Sequence, residues 1–177
     1  MADRTGTEIE SLASLGAVRD LLDRHGLRLN KSLGQNFLVN PGICPKMAAA
    51  SGAAEGGVLE IGPGVGVLTR ELSKLSKKVV AIELDRRLFP VLEETLAGRD
   101  NVELCHGDAL KLDLKALIEE KFTRVGIDRV CVCANLPYYI TSPLIMAMLE
   151  GGLPISSITV MVQKEAAERF CAPPGVR

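Results

Sequence analysis

A glycine turn, two carboxylates and one Asn-Leu-Pro-Tyr-Tyr run are the parts of this sequence that could do chemistry. The turn is Glu60-Ile61-Gly62-Pro63-Gly64-Val65-Gly66. Glycines directly after a short apolar run let the backbone approach a ligand, because no Cβ intervenes. Alone, such a turn is a weak signal. Its spacing is G-x-G-x-G, and Val67 stands where a dinucleotide fingerprint needs its third glycine. No Lys-Ser/Thr pair follows, which excludes a nucleoside triphosphate loop.

Glu83 ends the apolar run VVAIE (79–83), about 20 residues past the turn, and is followed by Leu84-Asp85. A carboxylate there can accept hydrogen bonds from both hydroxyls of a ribose, whether of NAD or of S-adenosylmethionine. Gly107-Asp108-Ala109 follows the next apolar run. Taken alone, Asp108 reads as a cap or turn residue. Third in a series of strand-end signals, it reads as an acceptor for the amine of a cofactor adenine.

The run Asn135-Leu136-Pro137-Tyr138-Tyr139 is the most specific feature. The exocyclic amine of adenine is a poor nucleophile, because its lone pair is delocalised into the ring. An amide oxygen on Asn135 and a neighbouring backbone carbonyl can accept both amine hydrogens and favour a pyramidal nitrogen. Pro137 fixes the turn and removes a competing donor. Tyr138 offers an aromatic face for an extruded base. Asn135, Leu136, Pro137 and Tyr138 are the candidate catalytic residues; positioning and electrostatics carry such a reaction.

These residues need a frame, and the hydrophobic pattern supplies one. Helices are predicted over 9–25, with Leu12, Leu15, Val18 and Leu22 near helical spacing, and over 42–51, 66–76, 86–97, 113–122 and 142–150; another begins at KEAAERF. Leu68, Leu72 and Leu75 share one face of the 66–76 helix, and Ser142 and Pro143 suit the start of the 142–150 helix. Strands are predicted at 58–61, 79–83, 101–105, 129–135 and 157–163. The alternation predicts an α/β fold, a parallel sheet with helices on both faces. Such sheets bind ligands at the carboxyl ends of their strands, near the point where strand order reverses, and every motif above falls at a strand end.

The bulk properties fit one globular domain of 177 residues, 47% hydrophobic and without tryptophan. A net charge of -1 argues against a basic protein that coats nucleic acid, while leaving room for a local patch. No apolar run reaches the roughly 20 residues of a membrane span, and the start MADRTGTEIE lacks a signal region, so a cytoplasmic protein is expected. Five cysteines without a C-x-x-C pair, and two histidines, suggest buried free thiols and no metal site.

The sequence resembles the KsgA-type small-subunit rRNA adenine dimethyltransferases, a class I (Rossmann-like) methyltransferase family. The resemblance spans roughly 31–170. It is carried by KSLGQNFL (31–38), LEIGPGVGVLT (59–69), VVAIELD (79–85), GDAL (107–110), NLPYYITSPL (135–144) and VMVQKEAAERF (160–170). It implies S-adenosylmethionine as cofactor. Asn36 and Leu38 would close over it, Gly62 and Gly64 would line the glycine turn, Glu83 would bind the ribose and Asp108 the adenine. Asn135 would lie between cofactor and target amine, with Tyr138 stacked on the base. Glu60 would brace the turn.

The implied substrate is a pair of adjacent adenines in a hairpin near the 3′ end of small-subunit rRNA, each methylated twice on the immature subunit during ribosome maturation. The protein is expected to be a monomer. The division expected is an N-terminal helical extension, 1–30, and a methyltransferase domain, 31–177. Relatives continue with two more strands and a small helical domain, so the last strand is expected to have an open edge. Three other readings share parts of the pattern: a macrolide-resistance type enzyme acting on large-subunit rRNA, a non-catalytic RNA-binding or assembly fragment, and an NAD-dependent oxidoreductase. Leu136 and the ITSP stretch favour the small-subunit enzyme over the first. The NAD reading leaves NLPYY unexplained.

Overall fold

The structure is a computed structural model that describes residues 12, 14–28, 42–54, 56–136 and 140–173. Five strands form one parallel sheet: β1 (Gly57–Ile61), β2 (Lys78–Glu83), β3 (Val102–His106), β4 (Val130–Asn135) and β5 (Ser157–Met161). Their order across the sheet is β3-β2-β1-β4-β5. The chain winds outward from β1 through β2 to β3, then crosses to the other side of β1. The switch therefore falls between β1 and β4, with Ile61 opposite Ala134. This confirms the α/β fold with a parallel sheet.

Among the described residues, seven α-helices flank it: α1 (Leu15–Arg24), α2 (Ile43–Ala50), α3 (Val67–Leu75), α4 (Phe89–Thr95), α5 (Leu114–Lys121), α6 (Thr141–Glu150) and α7 (Lys164–Phe170). Strand side chains alternate between faces. Leu59, Ile61, Val80, Ile82, Val130, Val132 and Ala134 meet Leu114, Ile118 and Phe122 with Leu144 and Met148 of α6. On the other face Val58, Val79, Cys131 and Cys133 meet Cys44, Met47 and Ala48 of α2 and Leu68 and Leu72 of α3. Cys131 and Cys133 thus share a face as their spacing predicts, and burial raises both thiols above the ordinary range. Burying so many aliphatic side chains, at about 1.5–3 kcal/mol each, drives the assembly without tryptophan.

A third cluster joins Val18, Leu21 and Leu22 of α1 to Val91 and Leu92 of α4 and to Val65 of the glycine turn. The turn is therefore anchored from outside by α1 and α4. Glu94 reinforces this contact, bonding Arg24 at 2.6 Å and His25 at 2.5 Å.

Several local expectations need correcting. Leu75 is exposed, and Thr69 and Ser73 share the buried side of α3 with Leu68 and Leu72, so the buried face is turned away from Leu75. Leu15 is likewise exposed on α1, where Leu21 is buried instead. The single helix expected over 86–97 is a 3-10 turn, Arg86–Leu88, followed by α4. Pro90 has no N–H and its ring opposes the carbonyl four residues back, so an α-helix cannot run through from Arg86. Helix α6 starts at Thr141, with no side-chain cap, and not at a Ser142 cap. Pro143 is tolerated there because a first-turn N–H has no helical acceptor. Strand β5 ends at Met161, two residues short of its expected end.

Candidate active site

Every described site residue lies at the carboxyl end of a strand. Gly62 follows β1, Glu83 ends β2, Asp108 lies two residues past β3, and Asn135 ends β4. Gly62 continues the ladder by donating its N–H to Ile82 O at 3.0 Å. It sits at φ +73°, and a Cβ placed on it would stand 3.9 Å from Asn135 O. Glycine turn and Asn135 are thus neighbours across the switch point.

Gly64 has φ +60°. Its N–H points to Glu83 Oε2 at 3.3 Å, while Glu83 Oε1 accepts from the Asp85 N–H at 2.8 Å. Glu83 is 7% exposed, which rules out a freely solvated strand-end carboxylate. Burial raises its pKa, and the two N–H donors partly offset this. A carboxylate has about four acceptor positions, so two remain for hydroxyls. Asp85 does not compete, because Arg87 holds it in a two-point pair at 2.9 and 2.7 Å and lowers its pKa.

Asp108 forms a local turn, accepting from Leu110 N–H at 3.0 Å through Oδ1, with Lys111 Nζ 3.6 Å from Oδ2. It is half-buried, and Gly107 ties this corner to β2 by donating to Glu83 O at 3.0 Å. Leu136 is 3% exposed within the core, and its N–H points to Met161 O at 3.4 Å. Only its backbone carbonyl is left for chemistry. Asn36, Leu38, Pro137 and Tyr138 lie outside the described residues.

Two residues acquire interest that the sequence did not signal. Leu84 is 55% exposed directly after Glu83, an apolar surface beside the strand-end carboxylate. His106 lies 3.2 Å from Leu84 O and packs edge-on to Phe89, fixing that corner. A large apolar residue one position past a strand-end carboxylate is the signal that could have singled out Leu84.

Glu60 is 1% exposed and neither carboxyl oxygen has a hydrogen-bond partner among the described residues. The Thr69 hydroxyl on α3 favours the charged form slightly but falls outside hydrogen-bonding geometry, and burial dominates, pushing the pKa up to about 8. The folded chain therefore holds this proton more tightly than the unfolded chain, whose ordinary value is 4.5. The stability contribution is fully present below about pH 4.5 and is lost as pH rises toward about 8. Glu60→Gln is expected to remove that decline. Thermal midpoints of both chains across this range check it, and parallel curves would contradict it.

Gly66 closes the turn at φ +86°, and a Cβ there would meet Thr95 Oγ1 at 2.9 Å and Leu92 and Leu96 at 3.3 Å. Gly66→Ala is expected to cost about 1–3 kcal/mol through backbone strain and overpacking. A thermal midpoint within a degree of the parent would contradict this.

Among the described residues, no group of three His, Cys, Asp or Glu is placed to hold a metal ion, and no helix is long and apolar enough to cross a membrane.

A doubly wound parallel sheet with a glycine turn after its first strand is the fold of class I methyltransferases, and solved relatives share that fold. The 23S rRNA methyltransferase ErmE superposes with a TM-score of 0.64 at 30% identity, over 75% of this chain and 50% of its own. A dimethyladenosine transferase from Plasmodium falciparum superposes at 0.62 with 35% identity, over 77% of this chain and 46% of its own. The ribosomal RNA adenine dimethylase family profile matches residues 26–177, and the chain belongs to that family. Ribosomal RNA small subunit methyltransferase A of Geobacillus thermodenitrificans is 48% identical over 95% of this chain and 57% of its own length. The protein of the same name from Clostridioides difficile is 42% identical over 96% and 58%. The chain thus spans somewhat over half the length of these curated relatives.

Proposed function

We propose that this chain forms the cofactor-binding and catalytic part of an S-adenosylmethionine-dependent rRNA adenine N6-dimethyltransferase. The observation that carries this reading is that the glycine turn, Glu83 and Asn135 lie at the ends of three adjacent strands around the β1–β4 switch point, with Asp108 past β3 on the outer side of Glu83. The residues fit the cofactor. The turn brings bare backbone to the ligand, Glu83 is buried with acceptor capacity to spare, and Asp108 stands a strand away on the side where an adenine would lie.

When bound, S-adenosylmethionine supplies a methyl group on a sulfonium. Gly62 and Gly64 hold its chain, and Glu83 accepts from its ribose. Asn135 accepts one hydrogen of the target amine and the Leu136 carbonyl the other. Those two acceptors would hold the amine pyramidal and free its lone pair, and with no strong base among them the amine proton would pass to solvent. By the family resemblance, Tyr138 in NLPYY would stack on the base, and Asn36 and Leu38 would close over the cofactor. No strong general base is required.

The substrate favoured is small-subunit rRNA, because curated relatives covering nearly all of this chain carry that name and Leu136 and ITSP lean the same way. By the family resemblance it is a pair of adjacent adenines in a 3′-terminal hairpin, dimethylated on the immature subunit by a cytoplasmic monomer. Incubating the chain with radiolabelled S-adenosylmethionine and immature small subunits tests this. Label at N6 of adenine in the 3′ hairpin is expected. Label in large-subunit rRNA alone would favour the ErmE-like alternative, and cofactor binding without any transfer would favour a non-catalytic RNA-binding fragment.

A further inference from the structure

Glu60 lies on β1 two residues before Gly62, on the face covered by α2 and α3. A fully buried carboxyl with both oxygens unpartnered among the described residues is rare in a native interior. The groups acting on it or sharing its pocket come from every element packed there. They are Glu83 from β2, the Cys133 thiol from β4, the Cys44 thiol from α2 and the Thr69 hydroxyl from α3; Glu71 on α3 acts on Cys44 and is itself paired with Lys74 at 2.6 Å. All the titratable groups among them are acids, and no cation among the described residues acts on Glu60.

Resting on the cofactor reading above, we propose that Glu60 is a proton-releasing counter-charge: neutral before the cofactor binds, ionised once the cationic methyl donor is seated. On binding, the carboxyl O–H bond breaks, the proton passes to solvent and the carboxylate faces the new positive charge. Methyl transfer leaves a neutral thioether, so the carboxylate loses that partner and takes a proton back. Donor binding is then favoured over product binding by the one charge that distinguishes them. The raised pKa agrees, since it keeps the carboxyl protonated near neutral pH until a cation arrives.

The test is calorimetric titration of the 177-residue chain with S-adenosylmethionine and with S-adenosylhomocysteine at pH 6.5, in two buffers of different ionisation enthalpy. At that pH α-amino groups, with pKa about 7.7–8.0, stay protonated. The expected result is release approaching one proton per donor bound, much less per product, and donor affinity rising by up to about tenfold per pH unit below pH 7.5. Glu60→Gln is expected to abolish the release and to reduce the preference for donor over product. Equal release for donor and product overturns the proposal, and so does undiminished release in Glu60→Gln, which would assign the proton to Glu83. If Glu60→Gln does not fold, infrared difference spectra of the parent chain decide. Loss of a protonated-carboxyl band on adding donor, but not product, supports the proposal, and no loss overturns it. Absence of donor binding in either buffer would instead bring down the cofactor reading itself.

Discussion

Replacing Asn135 with alanine is expected to lower methyl transfer by about 10²–10³-fold, the usual effect of removing one preorganised polar group at a reacting centre. Cofactor affinity should fall far less. Asn135 ends β4 beside Gly62, where the proposed mechanism puts its amide between cofactor and base, but the turn is held by other bonds: Gly62 N–H to Ile82 O, Gly66 N–H to Pro63 O and Gly64 N–H to Glu83. Single-turnover transfer measured beside cofactor titration separates the two effects. Equal loss of transfer and of cofactor affinity would mean that Asn135 serves binding, and the role given to it here would be wrong.

Glu83→Ala is expected to produce the opposite split. Losing a charged acceptor to two hydroxyls should weaken S-adenosylmethionine binding about ten- to a hundredfold or more, since hydrogen bonds to charged groups contribute about 1.5–3 kcal/mol each. Part of the effect is indirect, because the same carboxylate bonds Gly64 and Asp85. Glu83→Gln keeps one acceptor oxygen and is expected to fall between the two. Unchanged affinity in Glu83→Ala would sink the ribose assignment. Loss of thermal stability as great as the loss of affinity would point to a purely structural brace.

Much of this site was legible in the sequence because its parts are set by local rules. Positive-φ glycines at Gly62, Gly64 and Gly66 follow from the G-x-G-x-G spacing after an apolar strand. Glu83 and Asn135 end their strands where the continuous apolar runs stop. The strand order, with the switch between β1 and β4, follows from parallel crossovers that the pattern implies but does not itself order.

What the sequence did not convey depends on tertiary contacts. Glu60 reads as a brace in LEIGPG, yet nothing in the run says that both its oxygens are buried unbonded; that results from α2 and α3 closing over the same face. Leu136 reads as part of a catalytic run, whereas its side chain belongs to the core beside Leu144. Leu75 and Leu15 follow helical spacing but are exposed, because the buried face of α3 takes in Thr69 and Ser73 and that of α1 takes in Leu21. The exposure of Leu84 beside Glu83 is a property of the folded corner that His106 and Phe89 build.

The most direct test of the central claim is calorimetric titration of this chain with S-adenosylmethionine, with NAD as control. Saturable binding of S-adenosylmethionine, weakened in Glu83→Ala and absent for NAD, is the result the geometry predicts. A folded chain that binds NAD, or that binds neither compound, would contradict the assignment of the β1–β4 switch point as the methyl-donor site.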